Sequence, residues 1–219
     1  MAWVGCNYNS PTTHDFKSDT VAPVISETVV SDSLLLFEDS LYRKLDLELN
    51  EITELEYKRF EKIYKLNCSV DTGGFISGYG LSVKSACDEI CETYLIESKS
   101  RNKILLPSSY DGGIAGLTFS PSCNQFIVFS SYDGPDYVEY YSDRAEIFGF
   151  KVTTDKGLKA VKPAFIYFSK DWSLENLVWI NDSTIALKTY AENRSAKNQD
   201  HLHYMFFKAD LSKGNLRQN

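Results

Sequence analysis

The strongest constraint on this chain is the change of pattern after Leu66. Beyond that point short apolar runs are punctuated by Gly73-Gly74, Gly78, Gly80, Gly112-Gly113 and Gly116. Runs too short for a helix, bounded by glycine and other turn formers, read as strands. The candidates are 74–83, 93–97, 103–106, 114–119, 125–130, 144–153, 160–168, 176–180, 184–190 and 203–209. A spacing of about 8–12 residues between such runs predicts an antiparallel meander, built as a sandwich or as part of a propeller. Two turns are explicit: Ser120-Pro121-Ser122-Cys123-Asn124 and Asn181-Asp182, each between strand-like runs like the middle of a propeller blade. No fixed period recurs often enough to close a ring.

Residues 34–66 carry the helical signal. Asp39 or Ser40 is placed to cap a first helix, and Leu41, Leu45 and Leu49 follow at helical spacing. Thr53 and Glu56 form a capping-box pattern before Leu55, Phe60, Ile63 and Tyr64, an apolar stripe. The expectation is two helices over about 38–65, or one broken near Asn50. Residues 1–33 are rich in Ser, Thr, Asp, Asn and Pro and read as a flexible tether. The predicted organisation is that tether followed by a single globular domain over 34–219, β-rich over 74–210. The fold class is α+β, mainly β, with an N-terminal helical segment.

The formal net charge of −7 opposes binding to phosphate backbones and anionic lipid heads, so no nucleic-acid partner is expected. It suits solubility or a basic partner. No apolar run approaches the roughly 18 residues that span a bilayer. Val4-Gly5-Cys6 resembles the end of a bacterial lipoprotein signal, which would make Cys6 a lipidated residue. The protein would then be periplasmic or anchored to the envelope, meeting the membrane only through that lipid; a native start at Met1 would make it cytoplasmic.

Five cysteines stand at positions 6, 68, 87, 91 and 123. If Cys6 carries lipid, four remain and allow two bridges, the competing reading being five buried thiols in a reducing compartment. Cys87 and Cys91 are four apart. A regular helix keeps such residues about 5–6 Å apart, and a disulfide needs Cβ atoms about 3.8 Å apart. A Cys87–Cys91 bridge therefore implies a tight loop entering the strand at Thr93. Cys68 and Cys123 would pair by arithmetic alone. Zinc is disfavoured, because a structural site needs four ligands and the chain has only His14, His201 and His203 as histidines. His201 and His203 could share a strand face, but no third ligand stands at useful spacing. No metal or cofactor is expected.

The run Cys87-x-x-x-Cys91, Tyr94-Leu95-Ile96-Glu97, Arg101-Asn102-Lys103-Ile104, Leu106-Pro107 and then Leu117-Thr118-Phe119-Ser120-Pro121 resembles a pattern of small bacterial envelope proteins. These include lipoproteins and the immunity proteins encoded beside secreted antibacterial toxins. The likeness covers about 87–130 and departs from the pattern at Asp88 and Asn102, where glycine is frequent. It implies structure and no catalytic residues.

Residues 132–143 hold Tyr132, Asp133, Asp136, Tyr137, Glu139, Tyr140, Tyr141 and Asp143, with no basic residue among them. Tyrosine offers large contact area at low entropic cost, and acids among tyrosines suit a basic partner; otherwise these rings cover nearby core. Phosphate loops, dinucleotide fingerprints and nucleophile elbows are absent from the sequence, and no catalytic residue is assigned. The expectation is an immunity-type protein that neutralises a secreted bacterial toxin, such as a type VI secretion effector, by direct binding. The cognate toxin would be basic at its binding groove. The alternatives are a structural or adaptor lipoprotein and a hydrolase whose site the sequence hides.

Overall fold

The computed structural model describes residues 34–132, 134, 137–191, 202–213 and 215–216. The expected tether with Cys6 lies outside them, as do Asp133, Asp136 and His201. The chain runs through β1 (Leu34–Leu35), a 3-10 turn at Asp39–Leu41, β2 (Arg43–Asp46), β3 (Asn50–Glu51) and α1 (Glu54–Ile63). Three antiparallel meanders follow. The first is β4 (Leu81–Cys87), β5 (Cys91–Glu97) and β6 (Lys103–Leu106). The second is β7 (Gly116–Phe119), β8 (Gln125–Ser131), the short α2 (Tyr137–Tyr140), β9 (Ala145–Val152) and β10 (Val161–Ser169). The third is β11 (Ser173–Asn181), β12 (Thr184–Ala191) and β13 (His203–Asp210), and β14 (Asn215–Leu216) ends the described chain. The fold is mainly β, as expected.

Each meander is one sheet, and the second lies between the other two. Strand alternation shows why. On β8, Phe126 and Val128 enter a core shared with Leu95, Ile104 and Leu106 of the first sheet. Ile127 and Phe129, pointing the other way, enter a core shared with Leu177, Trp179, Ile185 and Leu187 of the third. On β9, Phe148 and Phe150 join the first core and Ile147 the second. Gly149 lies under the Phe165 ring, where an added Cβ would come within 2.0 Å of a ring carbon. The outer face of the third sheet is covered in turn by α1, through Tyr57 against Val178 and Ala186.

The segment before α1 corrects the expectation of a first helix. β1 adds in parallel to β6, β2 adds in parallel to β10, and β3 adds antiparallel to β13. One stretch of chain therefore contributes a strand to each of the three sheets. Leu41 and Leu45 satisfy a spacing of four, but four is also twice the strand period. Leu45 and Leu47 are both buried in the second core with Leu49 packed against it, whereas Leu41 is 55% exposed. The period is two.

The second helix forms as expected. Thr53 caps it, its hydroxyl accepting the Glu56 N–H at 3.2 Å while the Glu56 carboxylate accepts the Thr53 N–H at 2.8 Å. Its buried face differs from the expected stripe: Tyr57, Phe60 and Tyr64 face the sheet, and Leu55 and Ile63 are exposed. The strand expected over 74–83 begins only at Leu81, because Gly74, Gly78 and Gly80 take positive φ and turn the chain.

Two disulfides are present. Cys68–Cys123 fastens the segment after α1 to the β7–β8 turn across 55 residues, and Cys87–Cys91 joins residues four apart. Loop-closure entropy assigns about 4 kcal/mol to the first and about 2 kcal/mol to the second.

A strap of strands and a helix predict different substitution patterns. Leu45→Ala and Leu47→Ala should each lower unfolding free energy by about 2–5 kcal/mol, and Leu41→Ala by less than about 0.5 kcal/mol. Denaturant titration of the three variants measures this. Equal losses at Leu41 and Leu45 with none at Leu47 would restore the helix.

Candidate functional site

Three loops, from the first and central sheets and the link between them, are brought together at one end of the central strands. The first is the β4–β5 hairpin tip. Cys87 and Cys91 are its last cross-strand pair, so the disulfide closes the turn Asp88-Glu89-Ile90. The bridge thus ends a hairpin, with a strand before it as well as after it. All three turn residues are exposed, Ile90 to 57%.

The second loop runs from Ser108 to Gly113, marked in the sequence as a turn by Gly112-Gly113 and not as part of a site. The Cys91 N–H donates to Asp111 O at 2.7 Å. Gly113, at φ +70°, passes so close to this hairpin that an added Cβ would stand 2.6 Å from Cys91 O, an approach that glycine alone allows.

The third loop is the tyrosine-rich one. Tyr141 is its hinge: its ring meets Tyr110 and Tyr132, each at 4.9 Å between centroids, and its hydroxyl accepts the Asp111 N–H at 3.4 Å. The Tyr110 hydroxyl donates to Asp143 O at 2.9 Å. Asp111 is therefore the staple between the disulfide hairpin and the tyrosine loop, its carbonyl engaged by one and its N–H by the other.

A signal for this arrangement was present in the sequence. Ser-Ser-Tyr-Asp-Gly occurs twice, at 108–112 and at 130–134. The two tyrosines, Tyr110 and Tyr132, clasp Tyr141 from two sides. Of the serines in these two copies, Ser108, Ser109 and Ser130 lie about Glu146, the most deeply buried carboxylate among the described residues, which is 1% exposed. Its carboxylate accepts the Ser109 N–H at 2.6 Å. Burial raises the Glu146 carboxyl above its ordinary range, and the Ser109 N–H with the hydroxyls of Ser109, Ser108 and Ser130 draws it only part of the way back.

The expected partner-binding residues divide by position. Tyr132, Tyr141 and Asp143 are half-buried in the cluster. Glu139 and Tyr140 are exposed, Tyr140 to 70%, beside Val138 at 68%. Tyr137 lies on α2; Asp133 and Asp136 lie outside the described residues. The exposed surface therefore presents Ile90, Val138 and Tyr140 among the acids Asp88, Glu89, Asp111 and Glu139. On the flanking β10–β11 turn, Lys170 stands beside Asp171. These apolar points are exposed separately and are ringed by like charge.

Among the described residues no group of three His, Cys, Asp or Glu is arranged to hold a metal ion, and His203 is exposed at the start of β13. No described helix is long and apolar enough to cross a membrane. Comparison with protein-family models, with characterised proteins and with solved structures finds no match.

Glu146 carries a pH prediction. Its folded carboxyl binds a proton more tightly than the unfolded one. Its contribution to stability is therefore fully present below the unfolded value and is lost as pH rises through the raised folded value. Glu146→Gln keeps an acceptor for the Ser109 N–H and cannot ionise. Its melting temperature should exceed that of the wild type at about pH 8, with the gap closing towards about pH 4. A gap that does not change with pH would remove Glu146 from this role.

Proposed function

We propose that this chain is an immunity-type binding protein, which neutralises a secreted antibacterial toxin by seating its acidic, aromatic loop face on a basic groove of that toxin. The observation that supports this reading is the Asp111 staple. It makes one surface of two features that are 47 residues apart in sequence, the disulfide turn ending at Ile90 and α2 starting at Tyr137. A loop cluster tied by a disulfide, backbone hydrogen bonds and three packed tyrosines loses little conformational entropy when a partner binds, which is what a tight inhibitor needs.

The compartment is part of the proposal. Two disulfides belong to a chain that folds under oxidising conditions, and the bacterial periplasm, where such a toxin would be met, is one. The resemblance over about 87–130 points the same way, since its residues include the hairpin that the disulfide closes.

The burial pattern separates anchoring residues from supporting ones. Tyr140 and Ile90 are exposed and free to enter pockets on a partner, whereas Tyr141 holds the loops together. Against the toxin encoded beside this gene, Tyr140→Ala and Ile90→Ala should each weaken binding by about 2 kcal/mol, near thirtyfold, mainly through faster dissociation, with melting temperature unchanged. Glu139→Gln should slow association and reduce its salt dependence. Tyr141→Ala should lower the melting temperature. Surface plasmon resonance and thermal unfolding on each variant measure both quantities. Unchanged binding across Tyr140, Ile90 and Glu139 variants would refute the proposal.

A further inference from the structure

The other end of the central sheet has the opposite character. There, Arg43 at the start of β2, Gln125 at the start of β8 and Lys151 near the end of β9 border a cleft of about 450 Å³, a size within the range of small-molecule sites. Its apolar lining comes from Pro163, Phe165 and Leu211, and its far wall is the β11–β12 turn at Asp182-Ser183.

Strand alternation directs the two cations to the same side. Arg43 is two residues from Leu45, Lys151 four from Ile147 and Gln125 two from Ile127, and all three reference residues lie in the second core. Arg43, Lys151 and Gln125 therefore stand on the face of the central sheet that looks towards the third sheet, just past the edge of that core.

Neither cation forms a salt bridge among the described residues, and both are exposed, in a chain of net charge −7. Asp182 is the acid in the cleft's lining. Its carboxylate accepts the Ser122 N–H at 2.8 Å, and although burial opposes ionisation, that bond and the Ser122 and Ser120 hydroxyls hold its carboxyl below the usual range. One oxygen of that carboxylate is thus engaged by the β7–β8 turn. Gln125 donates its Nε2 to Asp182 O at 2.8 Å, which fixes the amide and leaves its Oε1 as an acceptor.

We propose that this cleft binds an anionic sugar, with Arg43 and Lys151 on the phosphate or carboxylate, Gln125 Oε1 accepting from a ring hydroxyl, and the apolar lining under the C–H face of the ring. The chemistry is that of each part. A guanidinium and an ammonium without a carboxylate partner form charge-assisted hydrogen bonds to an anion. A fixed amide acceptor selects a hydroxyl donor, and an apolar lining selects a ring over a bare ion. The site is independent of the loop face, from which the length of the central strands separates it, so either can hold while the other fails.

The test is isothermal titration calorimetry on the full chain with glucose 6-phosphate, glucuronate, glucose and inorganic phosphate. The expected result is saturable binding of glucose 6-phosphate or glucuronate, one per chain, with glucose and inorganic phosphate each at least about tenfold weaker. Whichever anionic sugar binds more tightly identifies the anion as phosphate or carboxylate. Arg43→Gln/Lys151→Gln should weaken that binding by at least about tenfold at an unchanged melting temperature. The charge-matched control Lys84→Gln/Lys99→Gln, at exposed positions on β4 and in the β5–β6 turn, should leave it as it was. The proposal is overturned if neither anionic sugar binds saturably, if glucose or inorganic phosphate binds as tightly, if the Arg43/Lys151 double variant binds like the wild type, or if the control loses as much.

Discussion

Everything in this molecule follows from a central sheet that is apolar on both faces. Phe126 and Val128 look one way and Ile127 and Phe129 the other, and all four are buried. Such a sheet has no face to offer to water, so it must be covered twice. The first and third meanders are those covers, and because the third also carries apolar residues outward, α1 covers it in turn. The edges are handled by the same economy. The segment from β1 to β3 gives one strand to each sheet, so a single stretch of backbone ties the three layers by strand pairing. At the β7 edge, the Tyr64 hydroxyl donates to Phe119 O at 2.6 Å and Trp179 Nε1 to Thr118 O at 3.4 Å, which ties α1 and the third sheet to the edge of the central one.

With both faces covered, the central sheet itself presents only the two ends of its strands. At one end the β8–β9 connection carries α2 and meets the Ser108–Gly113 loop and the disulfide turn; the exposed charge there is acidic. At the other, the starts of β2 and β8 and the end of β9 carry Arg43, Gln125 and Lys151. The layering therefore places the acidic turn residues and the Arg43–Lys151 pair at different ends of the central strands. Glu146 shows how tightly the acidic end is bound to the scaffold: it sits on β9 within the core, yet its carboxylate holds the backbone of the Ser108–Gly113 loop.

Most of the meander was legible in the sequence because strands buried on both faces still begin and end at turn formers. The 103–106 strand matches its expected bounds, and 125–130, 184–190 and 203–209 each fall one residue short of the observed element. The capping box at Thr53 and Glu56 was legible because it is a local interaction, complete within four residues. The strap was not, since Leu41, Leu45 and Leu49 satisfy the helical and the strand period together, and what separates the two is which sheet edges are open, a tertiary fact. The tyrosine loop was visible by composition, but its division into anchoring and supporting rings depends on Tyr110, which lies 31 residues from Tyr141 in sequence. The repeated Ser-Ser-Tyr-Asp-Gly was the one local trace of that partnership.

The proposed toxin is bound at the acidic end and not on the outer layers if hydrogen–deuterium exchange of the chain, alone and in complex with that toxin, shows new protection confined to 88–92, 108–113 and 137–143, with β8 and β9 slow in both states. Protection gained instead along α1, where Leu55 and Ile63 are exposed, with none in those three loops, would contradict it.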